Sequence, residues 1–385
     1  MQVLAEEMRG ADPIAAFDAV LRRTKSLSFL RMGDGEFRFL LESQAGDRSD
    51  NDYRLESKPS LTSRVKGAAA NRASDYQRVL EAYETCDFLD LHLHLAVIRD
   101  RLDSLQWHRR QDGWQSTGAE DSRILPRWFL THFRNYVTDH KCLFYAGESL
   151  VQQALLQDAD YKKCATQIWP EQHQADFLPL PNFGRHLSRD YEEMQETIIA
   201  AIQKNHYDTV FIGASGLAKP LCVAIAKSQQ VKAIDIGSVL RAMTYSATAG
   251  DATWPANHNP YYFSVPLAVY MKATRKAYPH LAPHELIAKA NAQLCLDLIH
   301  GKSGTSSRTS QVNDLDIEAE KQQQFQTNYR YYIQELVSEF QKNKQVKTQV
   351  LELHWWMKSQ GLTNMISLPN KISLLIDKIQ RKIDQ

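Results

Sequence analysis

Short apolar segments rich in strand-forming residues alternate with helical patterns through the first two thirds of this 385-residue chain. The predicted strands are Ser26–Arg31, Phe88–Leu95, Lys141–Ala146, Thr166–Trp169, Thr209–Gly213 and Ala233–Ile236. Several of the intervening stretches place apolar residues three and four positions apart, as in Tyr76–Tyr83 and Met194–Ile202. This alternation predicts an α/β fold in which helices cover both faces of a largely parallel sheet.

The pattern changes after about Gly250, where strand signals end and helical periodicity continues. We therefore predict an α/β domain over residues 1–250 and a mainly helical region over residues 251–385. Within that region, Gly301–Asn313 is rich in serine, glycine and threonine, which predicts a flexible linker. Residues 317–358 and Ile372–Ile383 have the periodicity of further helices.

Charge and cysteine content limit the partners that we expect. The 46 basic and 45 acidic residues give a net charge of +1, so the chain lacks the overall positive field of a nucleic-acid-binding protein. The five cysteines are widely spaced and contain no C-x-x-C pair, which predicts reduced thiols. The N-terminus lacks the basic start and apolar core of a secretory signal, so we expect a cytoplasmic protein.

The segment Arg31–Glu36, with sequence RMGDGE, follows directly after the first predicted strand. Asp34 and Glu36 are two positions apart, so an extended backbone would direct both carboxylates to one face, where they suit Mg²⁺ or Mn²⁺. Gly33 and Gly35 would let a diphosphate approach the backbone, and Arg31 would add positive charge. The simpler alternative is an ordinary turn with solvated acids.

A second candidate site begins where the predicted strand Thr209–Gly213 ends. A turn containing Ser215 and Gly216 leads into an amphipathic helix, with Ser215 as the expected N-cap and Lys219 near a bound phosphate. Asp235 ends the next strand, where an acid can bind a ribose hydroxyl. The spacing matches neither the P-loop nor the dinucleotide fingerprint, and a packed strand-helix-strand unit without a ligand is the alternative.

The segments RMGDGE, FIGASGLAK (Phe211–Lys219) and AIDIGS (Ala233–Ser238) together resemble the GT-D-type glycosyltransferases of bacteria. The resemblance implies a Rossmann-like domain and transfer of a hexose from a nucleotide-diphosphate sugar, most often a UDP-sugar. It also implies a glycan or glycoconjugate acceptor, as in polysaccharide biosynthesis. Asp34 and Glu36 would bind Mn²⁺, or Mg²⁺, and act as the catalytic pair. The implied nucleotide-sugar contacts are Arg31, Gly33, Gly35, Gly213, Ser215, Gly216, Lys219 and Asp235.

The acceptor hydroxyl needs a general base, for which Asp235, Glu148 and His258 are candidates without a decisive choice. Tyr261 and Tyr262 offer flat faces for sugar rings, and His258 offers hydrogen bonds, so this stretch is a candidate acceptor wall. A purely structural role, in which the same aromatic residues seat the helical region, is equally compatible with the sequence.

Two other functions compete with the transferase. Asp90, His92 and His94 form the D-x-H-x-H pattern of metal-dependent hydrolases, although matching ligands on later strands are not evident. A nucleotide-binding scaffold without catalysis is the second alternative. The amphipathic helix Ile372–Ile383 would then contact a partner or another copy of the chain, or the inner face of the membrane, rather than pack on its own domain.

Overall fold

The computed structural model describes residues 12–32, 68–91, 124–180, 191–237, 239–244, 265, 267–283, 285–286, 374 and 381. These residues fall into two compact units. The first lies within Met1–Gln153 and Ala165–Met243, and the second within Ala154–Cys164 and Thr244–Gln385. The first unit contains the sheet and the motif strands.

Six parallel strands form one sheet in the order β2-β1-β6-β5-β3-β4. The strands are β1 (Leu27–Met32), β2 (Phe88–Leu91), β3 (Cys142–Ala146), β4 (Ala175–Pro179), β5 (Thr209–Gly213) and β6 (Lys232–Asp235). The described helices are α1 (Pro13–Arg23), α2 (Ala68–Thr85), α3 (Ile124–Thr131), α4 (Phe133–Asp139), α5 (Ser149–Leu155), α6 (Ala159–Ala165), α7 (Tyr191–Asn205), α8 (Ala218–Gln229), α9 (Val239–Thr244) and α10 (Leu267–Ala277). A 3₁₀ turn, Ser215–Leu217, precedes α8.

An aromatic cluster covers one face of the sheet. Phe211 on β5 lies near its centre, with its ring centroid 4.7 Å from that of Phe144 on β3 and 5.4 Å from that of Phe129 on α3. Trp128 packs edge-on to this group, and its indole N–H donates to the carboxylate of Asp18 at 2.8 Å. Apolar packing and one satisfied polar contact therefore fix α1, α3 and α4 on this face.

Aliphatic side chains cover the opposite face. Leu30, Val210 and Ile212 on the sheet belong to one buried core with residues of α2, α7 and α8. Because both faces are buried, the central strands are apolar at nearly every position rather than alternating with polar residues. The predicted α/β fold, Rossmann-like with a parallel sheet and helices on both faces, is confirmed.

Most predicted strands match the structure, but Thr166–Trp169 is not a strand. Its residues form a turn after α6, where the backbone N–H groups of Ile168 and Trp169 both donate to the carbonyl of Ala165. Both side chains are buried, and the Trp169 ring lies 5.1 Å from that of Phe133. Their apolar character therefore reflects packing on the aromatic face, not strand pairing.

One of the six strands, β4, was not identified from the sequence patterns. It lies at the edge of the sheet, pairs with β3 among the described strands, and has an exposed Asp176 and a terminal Pro179. A short, half-buried edge strand that ends in proline carries a weak strand signal.

The second unit includes α10, within the region predicted to be helical. Asp158 contacts Lys272 of this helix at 3.3 Å, and its other oxygen accepts from the N–H groups of Asp160 and Tyr161 at the start of α6. The predicted linker Gly301–Asn313, and the predicted boundary near residue 250, lie outside the described residues. None of the described helices is both long and apolar enough to cross a lipid bilayer.

We predict that Phe211→Ala lowers the free energy of unfolding by about 3–5 kcal/mol, because it removes the central ring of the aromatic face and leaves a cavity. Urea denaturation of the full chain measures this loss. Phe211→Leu keeps most of the apolar volume and serves as the control, with a clearly smaller loss. Equal losses for the two variants would contradict the central packing role.

Candidate functional site

The carboxyl edge of the sheet brings together residues from all three motif segments. Arg31 lies near the end of β1, Gly213 ends β5, and Asp235 ends β6, and these strands are neighbours in the order β1-β6-β5. In open α/β sheets, ligands bind outside the carboxyl ends of the strands. The motifs therefore meet at the edge of the sheet where a ligand is expected, although about 200 residues separate the first from the last.

Asp235 is fully buried, and protein groups occupy both of its carboxylate oxygens. Oδ2 lies 2.9 Å from Nζ of Lys219 on α8 and accepts a longer hydrogen bond, 3.4 Å, from the backbone N–H of Arg31. Oδ1 accepts from the backbone N–H of Gly237 at 2.9 Å. Three protein donors therefore satisfy most of the acceptor capacity of the Asp235 carboxylate.

Lys219 is also buried, with 2% of its surface exposed. The sequence analysis placed its ammonium group near a phosphate, whereas in the structure it forms the ion pair with Asp235. A buried charge needs such a partner, because desolvation of an unpaired ammonium is strongly unfavourable. The ion pair therefore connects the first turn of α8 to the end of β6.

Arg31 joins the first motif to the third through its side chain. Nη1 donates to the carbonyl of Ile236 at 3.2 Å, and the backbone carbonyl of Arg31 accepts from the hydroxyl of Tyr83 at 3.3 Å. Arg31 is 8% exposed, and its Nε has no hydrogen-bond partner within the described part of the chain. The Nε–H group can therefore donate to a phosphate or hydroxyl oxygen.

Gly237 lies where Arg31 crosses the end of β6, in a conformation that favours glycine. Its φ is +50°, a conformation that side chains disfavour, and a Cβ atom at this position would lie 2.5 Å from Nη1 of Arg31. Gly213 allows a second close approach, since a Cβ atom there would lie 3.0 Å from the Cβ of Ala146 on β3. The glycine of the AIDIGS segment, Gly237, is evident in the sequence, but the sequence alone does not show that Arg31 packs over it.

The turn after β5 differs from the prediction in its capping. Ser215 begins the 3₁₀ turn, and α8 starts at Ala218 with Leu217 as its N-cap, which makes no side-chain capping hydrogen bond. The predicted N-cap role of Ser215 is therefore wrong, because the tighter turn moves the start of the helix by two residues. Gly216 is buried within this turn.

Asp90 is a buried carboxylate without a hydrogen-bond partner among the described residues. It is 1% exposed, and it lies on β2 directly opposite Arg31 in the strand register. Burial raises its pKa to about 7, while the Arg31 cation opposes this shift and the Asp235 anion adds to it. Sequence reasoning weighed Asp90 only as part of the D-x-H-x-H pattern and missed its pairing with Arg31.

Several predicted site residues lie outside the described residues. They are Gly33, Asp34, Gly35, Glu36, His92, His94, His258, Tyr261 and Tyr262. Glu148 is described, half-buried in the turn between β3 and α5 at the same edge of the sheet. Within the described residues, no group of three or more His, Cys, Asp and Glu side chains is arranged to hold a metal ion.

Comparisons with protein-family models, curated proteins and solved structures give no match for this chain.

We predict that Lys219→Met lowers the free energy of unfolding by about 3–5 kcal/mol, because it leaves the Asp235 carboxylate buried without its cation. Urea denaturation measures the change. The double variant Lys219→Met/Asp235→Asn should recover part of this loss, since the charge left uncompensated is then removed.

The matched control is Lys163→Met, which removes an exposed ion pair with Asp160. This variant should leave stability unchanged within error, because solvent already screens that pair. A full loss in Lys219→Met with no recovery in the double variant would mean that the ion pair is not the source of the effect.

We predict that Asp90 makes stability fall as pH rises from about 4 to about 7. Burial raises its pKa in the folded protein to about 7 from the ordinary value of 3.8, so between these values the folded state holds a proton that the unfolded state has released. The loss is at most on the order of 4 kcal/mol and is complete above the folded pKa.

Asp90→Asn removes this titration. Between pH 5 and pH 8, the unfolding free energy of the wild-type protein should therefore fall relative to that of Asp90→Asn, as measured by urea denaturation. A difference that is constant over that range would show that Asp90 is ionised throughout it.

Proposed function

We propose that this chain is a metal-dependent glycosyltransferase of the GT-D type. It transfers a hexose from a nucleotide-diphosphate sugar, with a UDP-sugar as the first choice, to a hydroxyl of a glycan or glycoconjugate. The observation that supports this most is the convergence of the three motif segments at one edge of the sheet through Arg31, Lys219 and Asp235.

The edge of the sheet offers suitable chemistry for a diphosphate. The 3₁₀ turn Ser215–Leu217 runs directly into α8, so the backbone N–H groups available to an anion are those at the start of this turn. The Arg31 guanidinium, held by the carbonyl of Ile236, adds positive charge to this edge of the sheet. These groups would bind the donor phosphates and orient the sugar toward the acceptor.

Asp34 and Glu36 would hold the metal ion. β1 ends at Met32, and two peptide units limit the distance between the Cα atoms of Met32 and Asp34 to about 7 Å. The first carboxylate thus cannot be far from the carboxyl edge, and carboxylate oxygens are the ligands that Mn²⁺ and Mg²⁺ accept. When bound, the ion would supply positive charge that stabilises the departing nucleoside diphosphate.

The buried ion pair of Asp235 with Lys219 argues against Asp235 as the general base, since the carboxylate is fully buried and already accepts from three protein donors. Glu148 and His258 remain the candidates from the sequence for accepting the proton of the acceptor hydroxyl. His258, Tyr261 and Tyr262 remain the proposed acceptor wall. The helix predicted at Ile372–Ile383 is proposed as a peripheral contact with a partner or with the inner face of the membrane.

The open sheet gives little support to the hydrolase alternative. The D-x-H-x-H pattern is typical of the first strand of a closed barrel, whereas the sheet of the described strands has two edges, β2 and β4. Asp90 also lies beside the Arg31 cation, which competes with a metal ion for the carboxylate.

We predict that the full chain binds UDP or GDP only with Mn²⁺ or Mg²⁺ present, and transfers a hexose from the corresponding nucleotide sugar. Asp34→Asn and Glu36→Gln should each reduce transfer by at least about 100-fold, because a ligand of the metal is lost. Isothermal titration and a donor-hydrolysis assay measure binding and turnover.

Asp47→Asn, an acid-to-amide change outside the motif, is the matched control and should retain activity. Full activity of the Asp34/Glu36 double variant with Mn²⁺ would contradict the proposed metal site. Stabilisation by Zn²⁺ alone would favour the hydrolase, and the absence of any effect of nucleotides or metals would favour the scaffold.

A further inference from the structure

Asp90 and Arg31 lie side by side on one face of the sheet. They are register partners on the parallel strands β2 and β1, and two positions earlier Phe88 and Phe29 stack on the same face with centroids 5.0 Å apart. Asp90 is the third of the four residues of β2, so its carboxylate is close to the carboxyl edge. Asp235, in contrast, lies opposite Ile212 of β5 in the strand register and forms its ion pair with Lys219 of α8.

The two aspartates differ in what remains for a ligand to bind. Protein donors occupy both oxygens of Asp235. Neither oxygen of Asp90 accepts a hydrogen bond from the described residues, although the side chain is 1% exposed. A buried carboxylate without donors is unfavourable, and a ligand that donates two hydrogen bonds would remove that penalty.

The neighbouring groups restrict the class of ligand. A phosphate would be repelled by the Asp90 carboxylate, and a metal ion would be repelled by the Arg31 cation. A pair of adjacent hydroxyls fits better, since each can donate to one carboxylate oxygen, and one of them can accept from Nε of Arg31, which has no partner among the described residues. In nucleotide-binding α/β folds a ribose-binding acid ends the strand beside the one that leads into the phosphate-binding turn, and β2 lies beside β1, which leads into the RMGDGE segment.

We propose that Asp90 binds the ribose hydroxyls of the nucleotide, an inference that rests on the proposed function. Asp90, rather than the predicted Asp235, is then the acid that binds the ribose. Arg31 assists from β1, where it is held by the carbonyl of Ile236. The ribose is bound at the β2 side of the carboxyl edge, and the diphosphate extends toward the start of α8.

The test compares ribose and dideoxyribose nucleotides on the full chain. Isothermal titration with Mn²⁺ gives Kd for UDP and 2′,3′-dideoxy-UDP, and for the matching GDP pair, because the base is not assigned. For the wild-type protein, removal of the hydroxyls should weaken binding by about tenfold or more, the usual effect of losing hydrogen bonds to a charged group. Asp90→Asn should weaken UDP by a similar factor and bind the dideoxy nucleotide no more weakly than wild type does.

Asp87→Asn is the matched control. Asp87 lies just before β2 and accepts from the backbone N–H and the hydroxyl of Ser28, so this change perturbs the same strand pair at its other end. It should leave the ratio of the two Kd values at its wild-type level. A thermal melt checks that each variant is folded, and Asp90→Ser replaces Asp90→Asn if the amide does not fold.

Two outcomes would overturn the ribose assignment alone. A wild-type Kd ratio in the Asp90 variant would show that Asp90 does not contact the hydroxyls. Weaker binding of UDP-glucose with unchanged binding of UDP would place the donor sugar, not the ribose, at Asp90. If the wild-type protein binds no nucleotide at millimolar concentration, both this assignment and the proposed transferase are wrong.

Discussion

The buried ion pair between Lys219 and Asp235 is the interaction on which the carboxyl edge of the sheet depends. It joins α8 to β6, and the same carboxylate accepts the backbone N–H of Arg31 from β1. Its two charges are almost completely removed from water, so each stabilises the other only while the geometry is kept. A change at any of these three elements therefore weakens the contact that joins them.

The packing of Arg31 over Gly237 adds a steric requirement to this electrostatic one. The guanidinium group occupies the space that a side chain at position 237 would need, and its hydrogen bond to Ile236 holds it there. The first and third motifs are therefore parts of one contact. The effects of substitutions at positions 31 and 237 on stability should therefore not be additive, because the two residues are in contact.

The two aspartates at this edge show how position decides the role of identical side chains. Asp235 lies where a lysine and two backbone N–H groups satisfy its charge, whereas Asp90 lies beside a single cation and keeps a pKa of about 7. The first has its charge balanced within the fold, whereas both oxygens of the second lack a hydrogen-bond partner among the described residues. Burial is nearly complete for both, so exposure alone does not distinguish them.

The sequence by itself determined the α/β class and most strand positions, including Thr209–Gly213 at its observed bounds, because apolar periodicity is a local property of the chain. It failed at Thr166–Trp169 because burial on an aromatic face and burial in a strand leave the same apolar pattern. Only the tertiary structure decided that Lys219 contacts Asp235, that Arg31 packs over Gly237, and that Asp90 lies opposite Arg31 in the strand register. These contacts depend on the order and register of strands far apart in the chain, which local patterns do not encode.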